Sequence, residues 1–402
     1  MNIKDYRDLK ISKLSFYILN ILFFSKRKIF KPSPKKILII NGDFSDLIAK
    51  NFKKSEIDVV YNRFPRKIER DAEINLYVVF YNLFRFKFSV SEYVKTYIEF
   101  CKPKLMITLI DNDDFFYRLK KLYPQIKAIS IQNSLRSPQG DIFDRINELK
   151  KEKYKCDFLL VYNNFFGNYY KKFLKTKIVQ IGSFKSNQVK LSNKVRKKYD
   201  ILFISCYKGR ENNEIFLKKY NITWGEALVQ EERILSNLAK LKILMPNLRI
   251  GILGCKTRNP SKEKEYFKKH LKGIKYEFIS KSKNRKTYNI IDKAELMLAI
   301  DTSLIYETLA RKNKVCVFGN RSRKYPLNTS RFAWPANVKR DGFFWSSKND
   351  FKTFHKIVLR CLETSNNKFF KKYKKNFYNS LSIYDYQNKK FKEIASKLIE
   401  EK

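Results

Sequence analysis

The amino-acid sequence predicts an α/β protein made of two parallel-sheet halves in succession. Three observations carry that expectation: short apolar runs recur behind polar turns, helix-length segments separate them, and the series stops at a polar stretch and then begins again. Strands that alternate with helices pair in parallel, because each crossover returns the chain to the edge of the sheet it left.

The first series runs KKILIING (35–42), EIDVVYN (56–62), KLMITLID (104–111), KAISIQN (127–133), CDFLLVYN (156–163) and KIVQIGSFKSN (177–187). LSNKVRKK (191–198) has the polarity of a linker. The second series is YDILFISCYKG (199–209), NLRIGILGC (247–255), KYEFISK (275–281), ELMLAID (295–301) and NKVCVFGN (313–320). The expected units are an N-terminal basic and apolar helix over 1–30, a first half over 35–187, a second half over 199–365 and C-terminal helices over 366–402. The final helix pattern, KKFKEIASKLIEEK, has an apolar stripe with which it can pack back on the first half.

Ahead of the first strand stands LSFYILNILFF, residues 14–24. A helix of that length covers about half of the roughly 30 Å hydrocarbon core, so it is not expected to span a bilayer. A basic cluster, Ser25-Lys26-Arg27-Lys28, occupies the place where a signal peptide would be cleaved. The segment is either an interfacial anchor, with Lys and Arg on acidic headgroups, or a first helix packed on the domain.

Composition narrows the classes. The 402 residues carry 86 Lys and Arg against 39 Asp and Glu, a formal charge of +47. Such a surplus favours phosphates, acidic glycans or an anionic membrane face. The cations are spread along the chain without a nucleic-acid module, so nucleic acid is not an expected partner. Six cysteines without a CxxC pair read as buried thiols in a reducing cytoplasm. The two histidines, His270 and His355, sit in helical, Lys- and Phe-rich surroundings, which disfavours a Ser-His-Asp mechanism or a His-rich zinc site.

Ligands of open α/β sheets collect outside the carboxyl ends of the strands, so the strand-end residues are the candidates. In LMITLIDNDDFFYRL (105–119), Asp111-Asn112-Asp113 admits three roles. The acids hold a divalent metal, or Asn112 or Asp113 caps the following helix while Asp114 complements its dipole, or Asp111 binds or deprotonates an acceptor. No metal site is the expectation, because the long second half would then be unexplained. In that half, Asp301-Thr302-Ser303 offers hydroxyls and free backbone N–H groups suited to a phosphate, and Glu307, one turn on, suits paired ribose hydroxyls. The bland alternative is an N-cap and a first-turn acid. Arg321, Arg323 and Lys324 either neutralise a diphosphate or are solvated. Trp334, Phe344 and Trp345 either floor a base or sugar or are ordinary packing.

Three blocks, 110–136, 294–320 and 331–347, resemble bacterial surface-carbohydrate biosynthesis proteins of the O-antigen or capsule type. The resemblance implies a GT-B-like glycosyltransferase, two Rossmann-like domains facing across a cleft. It implies a nucleotide-sugar donor on the second half, with Asp301, Thr302, Ser303, Glu307, Arg321, Trp334, Phe344 and Trp345 about it. Asp111 as catalytic base, with Asn112, Gln132, Asn133 and Arg136, would line the acceptor side. Ser134 departs from the Gly expected after Gln132-Asn133. No cofactor beyond the donor substrate is implied; the acceptor would be a lipid-linked or polymeric glycan, and the site of action the cytoplasmic face of the membrane. A nucleotide-sugar epimerase, a polyol-phosphate transferase and a non-catalytic glycan-assembly protein are the alternatives.

Overall fold

The computed structural model of the chain describes residues 26–60, 73–87, 89–138, 141–146, 148–192, 195–207, 213–218, 221–255, 260–280, 287–300, 302–319, 332–348, 350–376, 381 and 383–401. Of the helix expected over 1–30, residues 1–25 therefore lie outside the described residues, and the described part is corrected: Lys26–Lys28 is a strand, not helix.

Two small pairings precede and interrupt the main sheets. β1 (Lys26–Lys28) and β4 (Glu73–Asn75) pair in parallel, and β10 (Ile215–Leu217) and β11 (Ile222–Thr223) form a hairpin. The first main sheet contains β2 (Ile37–Ile40), β3 (Ile57–Val60), β5 (Leu105–Thr108), β6 (Lys127–Ile131), β7 (Lys155–Val161) and β8 (Lys175–Gln180). Its order is β3-β2-β5-β6-β7-β8, all parallel. The second contains β9 (Tyr199–Ile204), β12 (Ile250–Leu253), β13 (Glu277–Ile279), β14 (Ala294–Ala299), β15 (Lys314–Phe318) and β16 (Trp345–Ser346). Its order, β13-β12-β9-β14-β15-β16, is again parallel throughout and is the dinucleotide-fold order.

The burial of the strands explains their sequences. β2, β5 and β12 are buried at every position, so they read as unbroken apolar runs rather than alternating ones. β8 lies at an edge, and its Lys175 and Lys177 keep that edge exposed and charged. One core fills the second half; the first half has two, one on each face of its sheet. The C-terminal helix Lys389–Glu400 supplies Phe391, Ala395 and Leu398 to one of these, against Ile37, Ile39, Leu105 and Ile107. The chain thus ends on the half in which its first sheet was built.

Local signals set several helix starts. Thr223 and Glu226 form a reciprocal capping box at Trp224–Leu244. Asp113 accepts from the Phe115 N–H at the start of Asp114–Leu122, so the cap expected in the DND stretch falls on Asp113. Among the described residues no helix is long and apolar enough to cross a membrane. All six cysteines are free; Cys101, Cys156, Cys316 and Cys361 are buried, whereas Cys206 and Cys255 are half-buried at the ends of β9 and β12.

Candidate functional site

Each sheet has a switch point, where strand order reverses and two crossovers leave in opposite directions. In the first half it falls between β2 and β5, in the second between β9 and β14. Asp111 follows β5, and Thr302 and Ser303 follow β14, so these residues stand at carboxyl ends beside the two switch points.

Asp111 is 0% exposed. Arg136 grips it with two donors, Nε to Oδ2 at 2.7 Å and Nη2 to Oδ1 at 2.5 Å. The Asn133 backbone N–H donates to Oδ1 at 3.0 Å and the Tyr170 hydroxyl to Oδ2 at 2.6 Å. Tyr117 donates to the Asp111 carbonyl at 2.6 Å. Burial first, and the Asp111 charge second, hold the Tyr117 and Tyr170 hydroxyls well above the ordinary tyrosine pKa, so both remain donors.

The expectation that Asp111 serves as catalytic base is corrected by this geometry. Each of its carboxylate oxygens already accepts two hydrogen bonds, one of them at each oxygen from a guanidinium, and none of its surface meets solvent. A base must reach the proton it takes. Asp111 instead positions Asn133 and Arg136. The neighbouring acids are engaged separately: Asp113 caps, and Asp114 pairs with Arg118 at 3.1 Å and Arg145 at 3.9 Å.

The acceptor-side candidates divide in the same way. Gln132 is buried, donating to the Ser134 carbonyl at 2.9 Å and accepting from the Tyr162 N–H at 3.0 Å, which makes it a brace between strand ends rather than an open ligand group. Arg136 is buried in its ion pair and reaches Asp141 with Nη1 at 3.5 Å. Asn112 and Asn133 are half-buried; Asn112 donates to Asp141 at 3.4 Å, and Asn133 accepts from Arg136.

In the second half, Ser303 stands at the N-cap of Leu304–Ala310, yet its hydroxyl makes no capping bond. Thr302 Oγ1 accepts from the Leu304 N–H at 3.3 Å. Glu307 is buried, and its Oε1 accepts from two residues of the other half, the Tyr162 hydroxyl at 2.7 Å and Ser183 Oγ at 2.9 Å. Burial and then the Glu307 charge push Tyr162 and Tyr288 well above the ordinary tyrosine range, so these phenols stay neutral donors. The expectation of a Glu307 open to ribose is corrected to that of a carboxylate seated in the seam between the halves.

The aromatics are corrected as well. Phe344 and Trp345 are buried in the second core, Phe344 against Phe332 and Phe369, Trp345 with its indole N–H on the Lys339 carbonyl at 2.9 Å. They pack and do not floor a ligand. Trp334 crosses the seam and meets Phe166 and Tyr169 of the first half, with ring centroids 5.7 Å and 4.9 Å away. Asp301 and Arg321 lie outside the described residues, as do Arg323 and Lys324.

Some groups at the second switch point carried no signal in the sequence. Ser205 Oγ and the Cys255 N–H both donate to Glu263 Oε1, at 2.6 Å and 2.8 Å, and the Cys206 N–H donates to Glu231 at 3.1 Å. Two buried carboxylates on helices thus fix the strand-end loops. A hydropathy pattern reads both as ordinary helical acids. Tyr162 and Ser183 were legible only as strand-end residues, since nothing in their spacing points to a partner 145 and 124 residues on. An open hollow of about 1020 Å³, lined by Arg196, Lys197, Lys242, Arg249, Lys275 and Lys293, lies where β9, β12 and β14 begin, at the opposite end of the sheet from these groups. Among the described residues no group of His, Cys, Asp and Glu is arranged for a metal ion.

Two parallel doubly wound sheets joined at their strand-end loops define a GT-B-type α/β fold. The sequence matches the model of a family described as "putative O-antigen biosynthesis protein" over residues 129–399. The chain belongs to that O-antigen biosynthesis protein family. No curated protein matches it. Among solved structures, it is similar to the UDP-GlcNAc 2-epimerase of Neisseria meningitidis bound to UDP-GlcNAc, at 11% identity and a TM-score of 0.55, over 93% of this chain and 100% of that one. A glycosyltransferase from Rickettsia africae matches at 11% identity and 0.50, over 92% and 100%. The wall teichoic acid polymerase TagF matches at 10% identity and 0.51, over 99% and 98%. At such identities the likeness establishes the fold alone.

Proposed function

We propose that the protein is a metal-independent glycosyltransferase that moves a sugar from a nucleotide donor to a growing cell-surface polysaccharide, lipid-linked or polymeric, at the cytoplasmic face of the membrane. Membership of an O-antigen biosynthesis family supports the pathway class. The observation that carries the reaction class is the seam itself. There the strand-end loops of the first sheet, at Tyr162 and Ser183, meet Glu307 on the helix that follows β14, beside a Ser303 hydroxyl that does no capping. A donor diphosphate at Thr302 and Ser303 would lie next to the seam, with Asn112 and Asn133 as the half-buried polar groups at the carboxyl ends of the first sheet. Asp111 acts there through Arg136 and Asn133, by holding them in place.

A thermal-shift panel of UDP, GDP, CMP and dTDP tests this reading. One nucleotide should stabilise the protein, and Ser303→Ala should weaken its binding about tenfold, the loss expected for a hydrogen bond to a charged group. The Ser303 hydroxyl makes no capping bond, so its loss should leave the melting temperature without nucleotide unchanged. No shift with any nucleotide would favour a non-catalytic assembly protein. Incubating the protein with a nucleotide sugar and no acceptor separates the epimerase alternative, which would yield an epimerised donor. Release of CMP from a CDP-polyol, with the polyol phosphate carried to the acceptor, would indicate polyol-phosphate transfer.

A further inference from the structure

The helix Leu76–Phe84 buries Val78 and the polar Asn82, whose Oδ1 accepts from Thr96 at 2.7 Å, and packs Leu76 and Val79 partly against the core. Its opposite side exposes Phe80, Leu83 and Phe84, with Tyr77 at the margin, 5.9 Å from the Phe100 ring. Positions 77, 80 and 84 fall on one helical stripe. Phe80 is 53% exposed, Phe84 84% and Phe86, just past the helix end, 84%. Phe30, 79% exposed, joins the same region, because Asn75 caps the helix through the Val78 N–H and donates to the Phe30 carbonyl at 2.9 Å. Scattered exposed apolar residues need no explanation, but an aromatic cluster on one helix marks a surface that something covers.

The charge around the cluster identifies the cover. Residues 76–88 contain Arg85 and Lys87 and no acid; residues 25–36 contain Lys26, Arg27, Lys28, Lys31, Lys35 and Lys36 and no acid. Acids from elsewhere in the fold pair with three of these, Asp58 and Glu73 with Lys28, Glu56 with Lys36 and Glu92 with Lys87, so that Lys26, Lys31, Lys35 and Arg85 carry the positive charge of the face. Two copies of the chain meeting through this face would bring these cations together in a protein of net charge +47. An anionic lipid surface satisfies both features, taking aromatic rings into the acyl boundary and Lys and Arg onto phosphate headgroups. The apolar run 14–24 enters β1 directly through Ser25, and β1 pairs with β4, the strand that leads into the helix. In sequence, a second apolar segment therefore precedes the strand that pairs beside this helix. We propose that helix Leu76–Phe84, with Phe86, Ile29 and Phe30, is a membrane-docking surface for anionic bilayers. The surface stands independently of the transfer reaction.

Co-sedimentation of the full chain with vesicles tests it. Wild-type protein should sediment with phosphatidylglycerol vesicles, stay in solution with purely phosphatidylcholine ones, and bind less as salt rises. The variant Phe80→Ser/Phe84→Ser/Phe86→Ser should bind roughly tenfold more weakly or worse, with an unchanged melting temperature. Ile243→Ser/Leu244→Ser, which removes exposed apolar side chains from the second half, should bind like wild type. Undiminished binding of the triple variant would overturn the assignment, as would equal losses in both variants or no binding by wild type. A fall in melting temperature would show instead that the patch is covered by the chain itself, and loss of a concentration-dependent dimer that it is covered by a second copy. No nucleotide enters the assay, so its failure leaves the transferase reading standing, and a failed nucleotide panel leaves this one standing.

Discussion

Asp111 shows how a residue type at a suggestive position takes its role from its partners. A strand-end aspartate is a natural base, yet here its four acceptor positions go to Arg136, Asn133 and Tyr170. Asp111→Asn would leave the Arg136 charge buried without its carboxylate. We expect a stability loss of about 3 to 5 kcal/mol in urea unfolding, the cost of breaking a buried ion pair from one side. A catalytic base would give the opposite result, with turnover lost and stability kept. Titration offers a second test at this scale. Burial raises the Cys101 thiol from 9.0 to about 12 and the Tyr123 phenol from 10.0 to about 12. Folded pKa values above the unfolded ones stabilise the native state fully below the unfolded values and progressively less above them. The melting temperature should therefore hold up to about pH 9 and fall between about pH 9 and 12. Cys101→Ala should flatten the first part of that fall.

At the scale of elements, the C-terminal helix is the clearest case of structure built from distant sequence. Phe391 is fully buried, with its ring 5.1 Å from Phe184 and 5.9 Å from Phe52. Phe391→Ala should cost about 3 to 5 kcal/mol through the cavity it leaves, measurable by chemical denaturation. Gly182 guides the chain's return: at φ 72°, a Cβ there would meet the Ile383 carbonyl oxygen at 2.1 Å, in the segment that leads into the helix. The strands themselves were legible because fully buried parallel strands read as apolar runs, as in ILII and LMIT. A helix cap at Asn112 or Asp113 was legible too, because capping depends on residues only a few positions apart, and the structure places it on Asp113.

For the whole molecule, the seam between the halves is the feature to test. Glu307, Tyr162 and Ser183 bond across it, Trp334 inserts into first-half aromatics, and Arg311 ties Asp292 to the carbonyls of Val189 and Lys190 at 2.9 Å and 3.1 Å. Tyr162→Phe/Ser183→Ala removes two donors to Glu307 Oε1 and leaves a buried carboxylate short of partners, at about 1 to 3 kcal/mol per unsatisfied group. We expect calorimetry to show a lower and broader transition as the halves uncouple. A transition of unchanged width would place their coupling in Trp334 and Arg311 instead.

By itself the sequence determined what rests on neighbours along the chain: two series of buried parallel strands, their helices, the cap in the DND stretch and the strand-end positions of Asp111, Thr302 and Ser303. Hydropathy period and capping are local properties, so they survive translation into a pattern. Tertiary structure alone decided which strand-end groups are sealed and which are half-open, because that depends on partners brought together from far along the chain. Arg136 reaches back 25 residues to neutralise Asp111, and Tyr162 reaches 145 residues forward to Glu307. The aromatic block at 343–345 shows the same limit, since a pattern of rings is identical whether it floors a ligand or fills a core. The burial of Phe344 and Trp345 beside Phe332 and Phe369 settles it as core.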